Sequence, residues 1–113
     1  MTAPSRGEIW MVALSAVIGH EQAGTRPALI VSVDELNYGP AGLVTLLPIT
    51  STERDLASRV RLPAGEGGLD RVSYIKCEEV RTVSRDRLIR RLGKPNPRYL
   101  LQAMTQVRYF LGL

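Results

Sequence analysis

The chain has 113 residues, 44% of them hydrophobic and only 5% aromatic, which allows one compact domain with a largely aliphatic core and excludes two. Lys+Arg 15 against Asp+Glu 11 leaves a net charge of +4, nearly all of it carried by arginine, which favours a polyanionic or acidic partner. The single cysteine, Cys77, excludes an internal disulfide, and the lone His20 has no cluster of ligands around it, so neither a metal nor a cofactor is expected.

In chain order, Gly7 to Leu14 reads as a first strand that is apolar on both faces, with Ile9, Met11 and Ala13 opposed to Trp10, Val12 and Leu14. Trp10 belongs to the core or to a dimer interface. Ser15 to Thr25 is expected to be a long loop, of a length that is often functional, with His20 solvated within it. Pro27 marks the expected start of a second strand running to about Asp34, because proline fixes its own φ and pushes Arg26 out of the helical region. Arg26 is therefore a guanidinium on a stiffened backbone, suited to holding an oxyanion through its planar fork, or else to capping the strand edge or pairing with Glu21.

Asn37 to Gly42 carries turn residues, and Leu43 to Thr50 reads as a third strand. Ala57 to Pro63 alternates, with Ser58, Val60 and Leu62 inward and Arg59 and Arg61 outward. Gly65 to Gly68 is a flexible break. Val72 to Cys77 and Glu79 to Val83 form a strand pair or one bent strand, with Cys77 a small buried hydrophobe. Ser84 to Arg87 makes a turn and Leu88 to Leu92 a last short strand. The period then changes: Asn96 is a good N-cap, Pro97 fits the first helical position, and Leu100, Met104, Val107 and Leu111 recur at helical spacing before Gly112. A small barrel-like sheet with one packed terminal helix is the expected architecture, as a single domain over residues 1–113. No leader and no apolar run of about 18 residues is seen, so a cytoplasmic protein without a membrane segment is expected.

Four segments carry a resemblance: Arg6-Gly7-Glu8-Ile9-Trp10, Glu21 to Val31, Leu47-Pro48-Ile49-Thr50-Ser51, and Val80 to Leu88. In this order they resemble the MazF/PemK family of toxin endoribonucleases across nearly the whole chain. The resemblance implies an SH3-like β-barrel of the CcdB/PemK kind with a terminal helix, a homodimer, and neutralisation by an acidic, partly disordered antitoxin segment. It also implies metal-independent, sequence-specific cleavage of single-stranded RNA. By position it implies Arg26 and Thr50 as catalytic residues, and Glu21 and Gln22 as the loop bordering the RNA groove. Many members carry glutamine where this chain has Glu79 and aspartate where it has Ser84. A carboxylate at 79 makes a base-reading group acceptor-only.

Metal-free cleavage of RNA proceeds by attack of the 2′-hydroxyl on the adjacent phosphorus, which needs charge stabilisation and a donor toward the leaving oxygen; Arg26 suits both. Thr50 offers a hydroxyl to orient a phosphate oxygen, and Ser51 a further phosphate contact. Glu21 and Glu78 are candidates for the base, and Glu78 and Glu79 for RNA contact. Arg59, Arg61, Arg85, Arg87, Arg90 and Arg91 are expected to form a solvated surface that attracts the RNA backbone, some paired with Asp86 or Glu79. Two other readings stand beside the ribonuclease. One is a CcdB-like gyrase poison acting through Phe110-Leu111-Gly112-Leu113; the other is a non-catalytic nucleic-acid-binding module.

Overall fold

The computed structural model describes residues 3–14 and 24–113. Among these residues, seven antiparallel strands make one bent sheet: β1 (Ile9–Leu14), β2 (Gly24–Ile30), β3 (Leu43–Thr50), β4 (Arg59–Leu62), β5 (Ser73–Lys76), β6 (Arg81–Ser84) and β7 (Leu88–Gly93). The ladder runs β4-β5-β3-β2-β1-β7, with β6 also on β3, so the sheet is barrel-like without its end strands β4 and β7 pairing. A one-turn helix α1 (Asp34–Asn37) follows β2, and α2 (Pro97–Leu111) closes the fold.

Alternation along the strands explains why the sheet is buried on both faces. Ile9, Leu29, Leu47 and Ile49 face a core shared with Tyr99, Ala103 and Val107 of α2. Their neighbours Trp10, Val12, Ala28, Ile30, Val44 and Leu46 fill a second core on the other face with Val83 and Leu88. Trp10 is thus a core residue, its indole N–H donating to Glu8 Oε1 at 3.1 Å.

Several expected boundaries move. β2 begins at Gly24, so Gly24 and Thr25 belong to a strand and not to the preceding loop, and it ends at Ile30, short of Asp34. Pro27 is tolerated inside the strand because β2 pairs with β3 only from Ala28 onward, leaving one side of Pro27 without a ladder partner there. The Val72–Val83 segment is two strands on one partner: β6 pairs with Leu43–Leu46 and β5 with Ile49 and Thr50 of β3, broken by a helical turn at Cys77–Glu79. On α2 the buried row is Tyr99, Ala103 and Val107, with Leu100 and Met104 partly buried beside it. Leu111 extends that row but is 56% exposed, so the helix runs past the core beneath it. Its ends follow expectation: Asn96 Oδ1 accepts from Arg98 N at 3.0 Å, and Gly112 terminates it at φ 73°.

The Gly65–Gly68 break is a constrained joint. Gly68 has φ +81°, and a Cβ there would collide with the Leu92 carbonyl oxygen. Gly68→Ala combines a left-handed backbone with a backbone clash and is expected to lower unfolding stability by about 1–3 kcal/mol. A urea unfolding midpoint unchanged from wild type would show that the joint relaxes freely.

Candidate functional site

The β2–β3 register builds the site. Ala28 pairs with Pro48, Leu29 with Leu47 and Ile30 with Leu46. Continued two residues past the last pair, this register sets Arg26 opposite Thr50, each on the same face as the Ala28–Pro48 pair. Arg26 itself pairs with Val12 on β1 and is exposed, whereas Ala28 is fully buried, so the guanidinium stands at the mouth of the core row. Thr50 closes the last β3–β5 pair, opposite Tyr74. Its Oγ1 accepts from Thr52 N at 3.1 Å, which fixes the rotamer and leaves the hydroxyl proton able to donate.

Arg26, Thr50 and Ser51 together border two adjoining cavities. One, of about 200 Å³, is completed by Leu69, Asp70, Arg71 and Ser73 among others. The other, of about 250 Å³, adds Thr52, Arg54, Arg59 and Lys76. Arg26, Thr50 and Ser51 are thus brought together. Asp70, Arg71, Arg54 and Lys76 were not anticipated. The signal for Lys76 is a lone lysine in an apolar strand three residues before a glutamate; Asp70 and Arg71 depend on how the glycine joint folds back, which no local pattern encodes.

Glu78 and Glu79 lie elsewhere, around a third cavity of about 210 Å³ with Val80 and Arg81. Glu78 is engaged: Ser58 Oγ donates to its Oε1 at 2.7 Å, while Arg59 Nε and Nη2 both reach Oε2 at 2.8 Å. Burial pushes the Glu78 carboxyl up, but hydrogen bonds from Arg59, Ser58 and the backbone, with the Arg59 charge, bring it below its ordinary value. A carboxylate so held is not placed as a base for RNA cleavage. Glu79 pairs with Lys76 at 2.5 Å. Glu21, Gln22 and His20 lie outside the described residues. Among the described residues, no group of three His, Cys, Asp or Glu side chains could hold a metal ion.

The arginines are less solvated than expected. The Arg59 side chain is only 5% exposed. Arg85 Nη1 donates to Asn37 O at 2.6 Å and Gly39 O at 3.2 Å, pinning the turn. Arg87 donates to Ala13 O at 3.2 Å, and Arg91 pairs with Glu8 at 2.7 Å. Arg61, Arg90 and Arg91 remain exposed, Arg91 with its ion pair to Glu8 at the surface. Cys77 is buried, and that burial, aided by the Glu78 charge, pushes its thiol up to about 12, as befits a packing residue. No described helix is long and apolar enough to cross a membrane.

The described residues form a bent antiparallel sheet with one helix across its core, and Arg26 and Thr50 border the same two cavities at a strand end. Residues 5–111 match the model of the PemK-like, MazF-like toxins of type II toxin–antitoxin systems, and the chain belongs to that family. It is 32% identical over 113 residues to endoribonuclease MazF9 of Mycobacterium tuberculosis, covering 96% of both chains. It is 33% identical to endoribonuclease EndoA of Bacillus subtilis over 84 residues, 74% of this chain and 72% of that one. Among solved structures, MazF from Deinococcus radiodurans superposes with a TM-score of 0.88 at 28% identity over 100% of both chains. A mycobacterial endoribonuclease in complex with its cognate antitoxin superposes with a TM-score of 0.77 at 26% identity, over 98% of this chain and 97% of that one.

The lowered Glu78 carboxyl sets a pH dependence. A group whose folded-state value is depressed contributes stability above its unfolded value and loses it as pH falls through the folded one. Stability is therefore expected to fall on acidification below the ordinary glutamate range, and Glu78→Gln is expected to flatten that part of the profile. An identical acid limb in wild type and variant, read from urea midpoints against pH, would contradict the assignment.

Proposed function

We propose that this toxin is a sequence-specific endoribonuclease that cuts single-stranded RNA without a metal ion. The supporting observation is the meeting of Arg26 and Thr50 at the border of both adjoining cavities. The relatives' names as endoribonucleases point the same way. The 2′-oxygen gives up its proton to solvent water and forms a bond to phosphorus while the bond to the 5′-oxygen breaks; that oxygen takes a proton from water, giving a 2′,3′-cyclic phosphate and a 5′-hydroxyl. Arg26 stabilises the charge that develops on the phosphoryl oxygens and donates toward the leaving oxygen; Thr50 orients a non-bridging oxygen, and Ser51 is placed beside both. Glu79 and its neighbour Arg81 border a cavity where a base can be read by a carboxylate acceptor and a guanidinium donor. Glu21 and Gln22 are assigned to the groove border on the family pattern alone. The protein acts as a homodimer in the cytoplasm.

Purified toxin is expected to cut RNA in the presence of EDTA, leaving cyclic phosphate and 5′-hydroxyl ends. Arg26→Ala is expected to slow cleavage by ~10²–10³-fold. Arg26→Lys is not expected to restore it, because a point charge lacks the planar fork. Mg²⁺-dependent cleavage with 5′-phosphate ends, or an Arg26→Ala rate within about threefold of wild type, roughly 0.6 kcal/mol, would overturn the proposal.

Neutralisation follows from the same charges. An acidic, partly disordered antitoxin segment mimics spaced phosphates and pays its ordering cost on binding. Antitoxin and labelled uncleavable RNA are therefore expected to compete; tight antitoxin binding that leaves RNA affinity and cleavage unchanged would place neutralisation at another surface.

A further inference from the structure

We infer that Arg59, Lys76 and Arg54 form a second anion seat beside the Arg26–Thr50 pair, which takes the phosphodiester next to the one being cut. Glu78 is the positioning residue that holds Arg59 for it. The inference rests on the ribonuclease reading and adds a binding subsite to it.

The cavity that Arg26 and Thr50 share with Arg54, Arg59 and Lys76 is lined by these four cations and by hydroxyl residues, with no carboxylate among the described lining residues. The matching carboxylates stand behind the wall. Glu78 takes Arg59 Nε and Nη2 on one oxygen and Ser58 on the other, and Glu79 takes Lys76. Arg59 Nη1 has no hydrogen-bond partner among the described residues, although the side chain is 5% exposed and lines the cavity. A guanidinium fixed on one edge and unfilled on another is a preorganised donor: ordering a flexible side chain at binding normally costs affinity, and here Glu78 and Ser58 have already done it. Lys76, 6% exposed, is likewise held in place and contributes a point charge. Arg54 lies on the exposed 51–57 segment at the open side of the same cavity and completes the wall.

The ligand is an oxyanion by the chemistry of the wall, and a phosphodiester by its position. The seat shares Arg26, Thr50 and Ser51 with the cleavage site, and in RNA each phosphate is followed along the strand by another. Contacts of this kind set register on the nucleic acid without reading sequence.

The test uses an RNA that the protein cuts, remade with 2′-O-methyl groups so that it binds uncleaved and with one uncharged methylphosphonate moved along the linkages. In wild type, neutralising one linkage adjacent to the scissile phosphate is expected to weaken binding about tenfold, the scale of one charge-assisted contact. In Arg59→Ala that penalty is expected to vanish while the penalty at the scissile linkage remains. Arg54→Ala, on an exposed segment, is expected to reduce the same penalty and keeps the test open if Arg59→Ala does not fold. Failure of the unmodified RNA to be cut overturns the ribonuclease reading and the seat with it. Cleavage without any adjacent-linkage penalty, or with a penalty unchanged in both variants, overturns the seat alone. So does an Arg59 or Arg54 effect confined to binding of a polyglutamate peptide, which would make the wall a carboxylate-docking surface.

Discussion

The pairing of Ala28 with Pro48, and the two pairs that follow it, is the constraint on which the site depends. It is set by burial: Leu29 and Leu47 fill the core under the helix, while Ala28, Ile30 and Leu46 fill the opposite one. A slip of one residue would send each set of side chains into the core shaped for the other, so the register is held by the packing of both cores. Arg26 and Thr50 inherit their juxtaposition from it. They lie just beyond the last ladder pair, where the strands are ordered by their other neighbours but no longer joined to each other.

The second organising element is the placement of carboxylates behind cations. Glu8 holds Arg91, Glu78 holds Arg59 and Glu79 holds Lys76. An isolated surface pair contributes little to stability. Here two of the cations, Arg59 and Lys76, are almost wholly buried and line the cavity beside Arg26, so the carboxylates position cations that face this cavity. The cavity lined by Arg26, Arg54, Arg59 and Lys76 has no carboxylate among its described lining residues, so the net charge of +4 understates its local field.

Much of this was legible in the sequence, and the misses have physical causes. Alternation identified the strands and both buried faces of β1, and the Asn96-Pro97 start and Gly112 stop bounded the helix. Proline at 27 signals a strand start at that residue, but a one-sided gap in the ladder admits it in the interior, and β2 begins at Gly24. The row on α2 was shifted by weighting Leu111 over Tyr99; periodicity shows which residues share a face but not where the core beneath it ends. Arg59 points outward by alternation, yet its long side chain folds back onto Glu78, a contact between strand and turn that local pattern does not carry. For the same reason Glu78 looked available as a base. Asp70 and Arg71 reach the cavity only through the fold of the glycine joint at Gly68.

The central claim is that Arg26 and Thr50 act as one site because the register of β2 and β3 places them together. Single-turnover cleavage rates of wild type, Arg26→Ala, Thr50→Ala and the double variant test it most directly. Residues that act on the same phosphate are grossly non-additive. The account predicts a double variant no more than about threefold slower than the slower single variant, roughly 0.6 kcal/mol of further loss. Losses that multiply in full would mean that the two side chains act independently, and would contradict it.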